Sequence, residues 1–201
     1  MIKLGITGGI GSGKSYVAHL LEERGISVYD TDQEAKRLTL THPRIREALS
    51  ALLGKEVYQA DGTLNKPLVA SYLFSSPEHA KQINGIIHPC VYEDFQSWAN
   101  RQAEAGAEVV MMESAILFES GFNKAVDYVV MVYAPLELRI KRAMQRDSAS
   151  ETQIRARIAA QMDEEEKKRQ ADYVIYNDGE TPLEPQLTAL DTWLARRKTG
   201  R

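Results

Sequence analysis

The segment GGIGSGKS at residues 8–15 combines four glycines and two serines with one lysine. Glycine tolerates positive φ and close approach, so successive backbone N–H groups in such a segment can point inward and hold an anion. Lys14 would place a compact positive charge on the β- and γ-phosphates of a nucleotide, and the Ser15 hydroxyl can ligate Mg²⁺. The spacing satisfies the phosphate-binding pattern GxxxxGK[ST]. The segment therefore predicts a binding site for a nucleoside triphosphate.

The elements on both sides of this segment are those that a phosphate-binding loop requires. IKLGIT (2–7) has the composition of a short buried strand. KSYVAHLLEER (14–24) carries apolar residues at helical spacing and is followed by Gly25, a helix stop signal. The N-terminus of that helix would add unpaired N–H groups and the positive end of its dipole. These flanks disfavour the alternative, a glycine-rich turn with an incidental lysine.

Four more β-rich runs extend the pattern. They are ISVYD (26–30), EVVMMES (108–114), DYVVMVYA (127–134) and DYVIYN (172–177). Each is apolar on both sides of the pleat, as in a parallel sheet that is covered on both faces. Helical stretches lie between them, so the order predicts an α/β fold of three layers. We expect the P-loop NTPase fold with a five-stranded parallel sheet.

Two segments are too long to be simple crossovers between strands. Residues 33–105 hold three helical patterns, and residues 136–170 hold an arginine-rich pattern that breaks into two helices at DSAS. This is the layout of a kinase, in which one insertion binds the acceptor and the other closes as a lid that excludes water. The remaining residues, 1–32, 106–135 and 171–201, would form the nucleotide-binding core.

Composition argues against several other classes of protein. The formal net charge of −3 over 201 residues does not suit a nucleic-acid-binding protein with a broad basic face. The single cysteine, Cys90, excludes an internal disulfide and fits a reducing compartment. The apolar start of the chain is too short for a signal peptide, and no later run reaches membrane length. We expect a cytoplasmic protein without a membrane, nucleic-acid or obligate protein partner.

The sequence also differs from GTP-binding switch proteins. No aspartate is followed three residues later by glycine, as D-x-x-G requires, and NKAVD (123–127) has the wrong spacing for the guanine-binding N-K-x-D. A kinase for a small acceptor fits better. The residues alone leave open which acceptor it uses, including a nucleoside or nucleotide, and they leave open an ATP-dependent switch protein.

A series of motifs resembles the dephospho-coenzyme A kinase family. In chain order they are TGGIGSGKS, VYDTD, IIHP (86–89), ILFESG (116–121), KRAMQRD (141–147), RIAAQM (157–162) and DYVIYNDG (172–179). The resemblance covers nearly the whole chain. It implies an enzyme that uses ATP and Mg²⁺ to phosphorylate the ribose 3′-hydroxyl of dephospho-CoA, which is the last step of coenzyme A synthesis.

Asp32 is the residue that we expect to act as catalytic base. It follows the second predicted strand, at the carboxyl end of the sheet where ligands of open α/β folds bind, and a carboxylate there can accept a hydroxyl proton. The resemblance supports this role, since Asp32 matches the second aspartate of the family's D-x-D motif. The alternative is that Asp32 caps a helix beginning at Gln33. Asp30 could do either job and is the weaker candidate.

Arg142 and Arg146 lie four residues apart and would share one helical face. The resemblance places Arg142 against the transferring phosphoryl group, where a planar guanidinium neutralises charge on several oxygens. A solvated helix face is the alternative. The resemblance also places Asn177 near the adenine of ATP, and the alternative for that residue is a turn before Asp178.

Two positions depart from the family pattern. Tyr16 follows Ser15 where the family commonly has threonine, so we expect altered nucleotide affinity without loss of function. Glu113 ends the third predicted strand where the family more often has aspartate, and it can supply a carboxylate near the metal. His88, which precedes Pro89, is predicted to shape the acceptor pocket or simply to end a helix.

The predicted site residues fall into four groups. The catalytic residues are Lys14, Asp32 and Arg142. The nucleotide-binding residues are Gly8, Gly9, Gly11, Ser12, Gly13, Lys14, Ser15, Tyr16, Arg146 and Asn177. The acceptor-binding residues are Thr7, Asp32, His88 and Glu119, and the predicted metal ligand is Ser15.

Overall fold

Five strands form one sheet. They are β1 (Ile2–Thr7), β2 (Ser27–Asp30), β3 (Val109–Glu113), β4 (Tyr128–Tyr133) and β5 (Tyr173–Tyr176). The computed structural model of the chain describes residues 1–198, and in it the strands lie in the order β2-β3-β1-β4-β5. β1 pairs in parallel with β3 and β4, and β4 pairs in parallel with β5. The predicted α/β class and its five-stranded parallel sheet are confirmed.

Nine α-helices lie among the described residues. They are α1 (Lys14–Glu23), α2 (Thr31–Thr41), α3 (Pro43–Leu53), α4 (Lys66–Leu73), α5 (Pro77–Glu104), α6 (Leu136–Asp147), α7 (Glu151–Ala159), α8 (Glu164–Gln170) and α9 (Leu183–Lys198). In this part of the chain, no helix has the length and apolar character needed to cross a membrane.

The two insertions contain more helices than the sequence patterns suggested. Residues 33–105 include a fourth helix, α4, and residues 136–170 contain three helices instead of two. The break predicted at DSAS is confirmed, since α6 ends at Asp147 and its C-cap, Ser148, has a φ of 50°. A second break at residues 160–163 was missed. It is stabilised by Asp163, whose side chain accepts two backbone N–H groups of the first turn of α8, at 3.0 and 3.1 Å.

A buried apolar core joins one face of the sheet to α1 and α9. Its buried members are Ile2, Leu4, Ile6, Val17, Ala18, Leu21, Ile26, Val109, Met111, Val130, Val132, Ile175, Leu187, Leu190 and Leu194. Val17, Ala18 and Leu21 repeat at helical spacing, so one side of α1 faces this core. Truncating one such side chain to alanine typically costs about 2–5 kcal/mol. The core therefore fixes α1 and, with it, the helix N-terminus beside residues 8–13.

The strand order determines where a ligand is expected. β1 lies at the centre of the sheet, with β3 and β2 on one side and β4 and β5 on the other. The chain leaves β1 for one side and later returns to the other, which makes the carboxyl end of β1 a topological switch point. Ligands of open α/β sheets bind at such points. The segment GGIGSG connects β1 to α1 at this position.

The chain divides into two compact units, Met1–Tyr29 with Ala99 onward, and Asp30–Trp98. The first unit contains the sheet, α1 and α6 to α9. The second contains α2, α3, α4 and most of α5. Within the second unit, Arg37 of α2 pairs with Asp94 of α5 at 2.9 Å.

The domain roles predicted from the sequence stay predictions. The predicted acceptor insertion, 33–105, overlaps the second unit, 30–98, and the predicted lid, 136–170, belongs to the same unit as the sheet. The predicted core ends with residues 199–201, which lie outside the described residues.

Candidate active site

The glycine loop, residues 8–13, makes the turn between β1 and α1. Gly11 and Gly13 have φ of 80° and 85°, a region that L side chains rarely adopt. A Cβ on Gly11 would lie 2.1 Å from the carbonyl oxygen of Arg139, and one on Gly13 would lie 2.1 Å from Nδ2 of Asn177. Both positions require glycine for backbone conformation and for space.

Lys14 and Ser15, the first two residues of α1, converge on one carboxylate at the end of β3. The Lys14 ammonium forms an ion pair with Oε1 of Glu113. Ser15 Oγ donates a hydrogen bond to the same oxygen at 2.6 Å. Glu113 is only 8% exposed, so the lysine charge compensates a buried anion. The structure thus unites two predicted residues with Glu113, which the sequence offered only as a secondary candidate.

Ser12 and Thr7 are buried beside the start of the glycine loop. A Cβ on Gly8 would lie 2.6 Å from Ser12 Oγ and 2.5 Å from the carbonyl oxygen of Val132, so the chain is tightly packed there. Within residues 1–198, Ser12 Oγ and Thr7 Oγ1 have no hydrogen-bond partner. The predicted contact of Thr7 with the acceptor stays a prediction.

Arg142 and Asn177 are linked in one hydrogen-bonded chain to the glycine loop. Arg142 Nη1 donates to the carbonyl oxygen of Asn177 at 2.8 Å. Asn177 Nδ2 donates to the carbonyl oxygen of Ser12 at 2.8 Å. The turn that was the alternative role for Asn177 is instead made by Asp178, whose Oδ1 accepts the N–H of Thr181 at 2.7 Å. Asn177 therefore supports the loop directly, and its predicted contact with adenine stays a prediction.

Two predicted nucleotide-binding residues, Tyr16 and Arg146, are exposed. The Tyr16 residue is 57% exposed on α1. Arg146 Nε donates to Oδ1 of Asp147 at 2.7 Å, and Arg157 pairs with the same carboxylate at 3.0 Å. The hydrogen bond from Arg146 lowers the pKa of Asp147. Arg142 and Arg146 share α6, yet Arg142 is engaged beside the glycine loop and Arg146 on a solvated surface.

Arg139 and Glu164 form a buried pair of opposite charges behind the glycine loop. Arg139 Nη1 lies 3.7 Å from Glu164 Oε1, and both side chains are largely buried. Burial raises the pKa of Glu164, while the charge of Arg139 opposes that shift. A Cβ on Gly9 would lie 2.2 Å from Arg139 Nη1 and 2.4 Å from Glu164 Oε1. The pair therefore packs directly against Gly9.

Glu119, predicted to bind the acceptor, has two contacts within the chain. Its Oε1 accepts the backbone N–H of Met162 at 2.9 Å and pairs with the Lys167 ammonium at 3.0 Å. Lys167 is fully buried and also donates to the carbonyl oxygen of Ala115 at 3.0 Å. No sequence signal marks this lysine, because the charge run EEEKKR does not distinguish Lys167 from its neighbour Lys168. The predicted acceptor contact of Glu119 stays a prediction.

In the second unit, Asp30 and Asp32 have different environments. α2 begins at Thr31, and Oδ1 of Asp30 accepts the N–H groups of Asp32 and Gln33 at 2.9 and 3.0 Å. Asp30 is the N-cap, so the alternative in which Asp32 caps a helix beginning at Gln33 is wrong. Asp32 is exposed, and its carboxylate has no hydrogen bond within the described range 1–198.

His88 lies half-buried within α5, and burial lowers the pKa of its imidazole. The helix continues through Pro89, so the suggestion that His88 ends a helix is wrong. Half-burial allows the ring to shape a pocket, which stays a prediction.

A central parallel strand, a glycine loop and a helix whose lysine and serine meet a buried carboxylate form the phosphate-binding unit of P-loop proteins. The Arg-rich helices beside the loop narrow the class to the P-loop kinases. The chain belongs to the dephospho-CoA kinase family, because the family profile described as CoaE, dephospho-CoA kinase, matches residues 2–182. The family and the kinase class predicted from the sequence are confirmed.

Similarity to individual proteins agrees with this assignment. The chain is 54% identical over 196 residues to the dephospho-CoA kinase of Bacteroides fragilis strain YCH46, which covers 98% of this chain and 94% of the relative. The crystal structure of TT1252 from Thermus thermophilus is 36% identical, with a TM-score of 0.79 and 97% of each chain covered. The dephospho-CoA kinase from Campylobacter jejuni, at 22% identity, TM-score 0.68 and 98% coverage of each chain, shares the fold.

Proposed function

We propose that the chain transfers the γ-phosphoryl group of ATP to the ribose 3′-hydroxyl of dephospho-CoA, the last step of coenzyme A synthesis. The family match over residues 2–182 carries the proposal, since it includes the glycine loop, Asp32 and the Arg-rich helices together. A kinase for another acceptor and an ATP-dependent switch protein, the alternatives that the sequence left open, are not favoured by the comparisons.

The donor phosphates would bind the glycine loop and Lys14. An ammonium carries three donors, so Lys14 can keep its ion pair with Glu113 and still donate to phosphate oxygens. The loop's N–H groups and the N-terminus of α1 add a fixed positive potential at the same place. These groups neutralise charge on the transferring phosphoryl group, which is the main task of such a site.

Ser15 and Glu113 are the residues that would hold Mg²⁺. Their oxygens are hard ligands and lie 2.6 Å apart. Among the described residues, no group of three or more His, Cys, Asp or Glu side chains could hold a metal ion by itself. Phosphate oxygens and water would therefore complete the octahedral shell. The ion, when bound, neutralises charge on the phosphates.

Asp32 would accept the proton of the attacking hydroxyl. The observation that supports this role is that Asp30, and not Asp32, caps α2. The Asp32 carboxylate makes no hydrogen bond within the described chain, so it is available to an acceptor. An exposed carboxylate can orient an acceptor hydroxyl and accept its proton.

Arg142 would contact the transferring phosphoryl group with the guanidinium nitrogens that Asn177 does not engage. Its hydrogen bond to Asn177 holds the side chain beside the glycine loop. Thr7, His88 and Glu119 are proposed to contribute to acceptor binding, and Tyr16 and Arg146 to nucleotide binding. A cytoplasmic location is proposed as well, supported by the single cysteine, Cys90, which is unpaired and buried.

The test is to identify the product formed from ATP, Mg²⁺ and dephospho-CoA by mass spectrometry and to locate the new phosphate by NMR. The expected product is coenzyme A, with one ADP released for each molecule formed and no transfer in excess EDTA. AMP and shikimate serve as control acceptors. ADP release that does not require dephospho-CoA, or equal transfer to AMP, would contradict the proposal.

A further inference from the structure

Gln161, in the motif RIAAQM, forms a hydrogen bond with the glycine loop. The N–H of Ile10, in the middle of the loop, donates to Oε1 of Gln161 at 3.1 Å. Gln161 lies in the short connection between α7 and α8 and is half-buried. This hydrogen bond joins residues that are 151 positions apart in the chain.

The backbone next to Gln161 is fixed by a hydrogen bond of its own. The next residue, Met162, donates its N–H to Glu119 at 2.9 Å. Glu119 also pairs with Lys167 of α8, whose ammonium is fully buried and bound to the carbonyl oxygen of Ala115. Gln161 therefore lies in a segment that is fixed to Glu119 by Met162 and Lys167, and the segment cannot move away from the loop without breaking these contacts.

The glycine loop needs such support because glycine loses more conformational freedom on ordering than any other residue. Asn177 holds the second half of the loop through the carbonyl oxygen of Ser12. Gln161 holds the first half through Ile10. Together they keep the unliganded loop near one conformation, so less ordering remains to be done when phosphate binds.

We infer that Gln161 is a positioning residue that preorganises the glycine loop for ATP and links the loop to the helices of the predicted lid. The inference rests on the proposed use of ATP at this loop. It does not depend on which acceptor receives the phosphoryl group.

Gln161→Met removes the acceptor oxygen and keeps the length of the side chain. We expect exchange of the Ile10 amide, followed by NMR without nucleotide, to become about threefold to tenfold faster, the effect of losing one hydrogen bond. The dissociation constant for ATP should rise by a similar factor of about threefold to tenfold, while kcat at saturating ATP stays within about twofold.

Two further variants separate positioning from general damage. Gln161→Glu keeps an oxygen at the same reach and should restore slow exchange of Ile10. Gln145→Met makes the same substitution at an exposed site on α6 and should change neither quantity. Unchanged Ile10 exchange in Gln161→Met, failure of Gln161→Glu to restore it, or lower kcat with unchanged ATP affinity would overturn the inference. ATP binding and exchange are measured without acceptor, so failure of the proposed transfer to dephospho-CoA would be seen separately.

Discussion

Lys14 is proposed to act on the donor and Asp32 on the acceptor. The two side chains differ in their burial and in their contacts with the rest of the protein. Lys14, the first residue of α1, is paired with buried Glu113. It follows the glycine loop, against which Arg139 and Asn177 pack. Asp32, the second residue of α2, is exposed, and Asp30 caps that helix. The Lys14 ammonium is thus tied to the folded structure by a buried ion pair, whereas the Asp32 carboxylate lies exposed in the first turn of α2 and makes no hydrogen bond with any described residue. Substitutions of Lys14 should therefore disturb stability and activity together, and substitutions of Asp32 should mainly disturb activity.

Among the variants of the donor site and the predicted lid, the largest effect is expected for Lys14→Met. Removing the charge should lower kcat on the order of 10³-fold, as loss of a group that stabilises transition-state charge does. It should also lower the free energy of unfolding by about 1–3 kcal/mol, because Glu113 stays buried without its cation.

A double variant separates the two roles of this lysine. Lys14→Met with Glu113→Gln removes both charges, and we expect urea unfolding to show much of the lost stability restored. Transfer should stay as low as in the single variant. Near-normal turnover in either variant would contradict the assignment of the glycine loop.

Arg142 and Arg146 provide a matched pair on one helix. Arg142→Ala should lower kcat by about 10²-fold, since the side chain is held beside the glycine loop and would contact the phosphoryl group. Arg146→Ala should raise KM for ATP only a few-fold, because an exposed ionic contact is worth no more than about 1 kcal/mol. Steady-state kinetics on both variants measures kcat and KM for ATP. Equal effects of the two substitutions would contradict the different roles proposed for Arg142 and Arg146.

The smallest effect on turnover is expected at the Glu119–Lys167 pair. Glu119→Gln leaves a fully buried ammonium without its anion, whereas Lys167→Met leaves a carboxylate whose side chain is 24% exposed and can be hydrated. We expect losses in unfolding free energy of about 2–3 kcal/mol for the first and about 1 kcal/mol for the second. An unchanged stability in Glu119→Gln would contradict the structural role of the pair, and a large rise in KM for dephospho-CoA would support the proposed contact of Glu119 with the acceptor.

Much of the fold was predictable because its signals are local. The strands are short apolar runs, and GGIGSGKS specifies both its conformation and its chemistry through residue type and spacing. The sheet therefore followed from the sequence, and so did the position of Lys14 and Ser15 at the start of the helix after the glycine loop.

The contacts that support the loop were not predictable in the same way. Arg139 with Glu164, and Gln161 with Ile10, join residues far apart in sequence, and their partners depend on how the helices pack. The alternative role of Asp32 as a helix cap assumed a helix that begins at Gln33. In the structure α2 begins two residues earlier, at Thr31, so Asp30 is the cap. Helix ends are the least certain part of a sequence-based prediction. For that reason the sequence could not decide which of the two aspartates is the cap.

The most direct test of the account is kcat of Asp32→Asn at saturating ATP and dephospho-CoA, measured beside Asp30→Asn. Asparagine keeps the shape of the side chain but cannot accept the proton, so Asp32→Asn should lose about 10²–10⁴-fold in kcat with unchanged ATP affinity. The stability of this variant should fall by no more than about 1 kcal/mol, the contribution of a negative charge in the first turn of a helix. Asparagine is as good a cap as aspartate, so Asp30→Asn should keep near-normal kcat and stability. A loss of less than about threefold in Asp32→Asn, far below the range for a general base, or an equal loss in both variants, would contradict the role of Asp32.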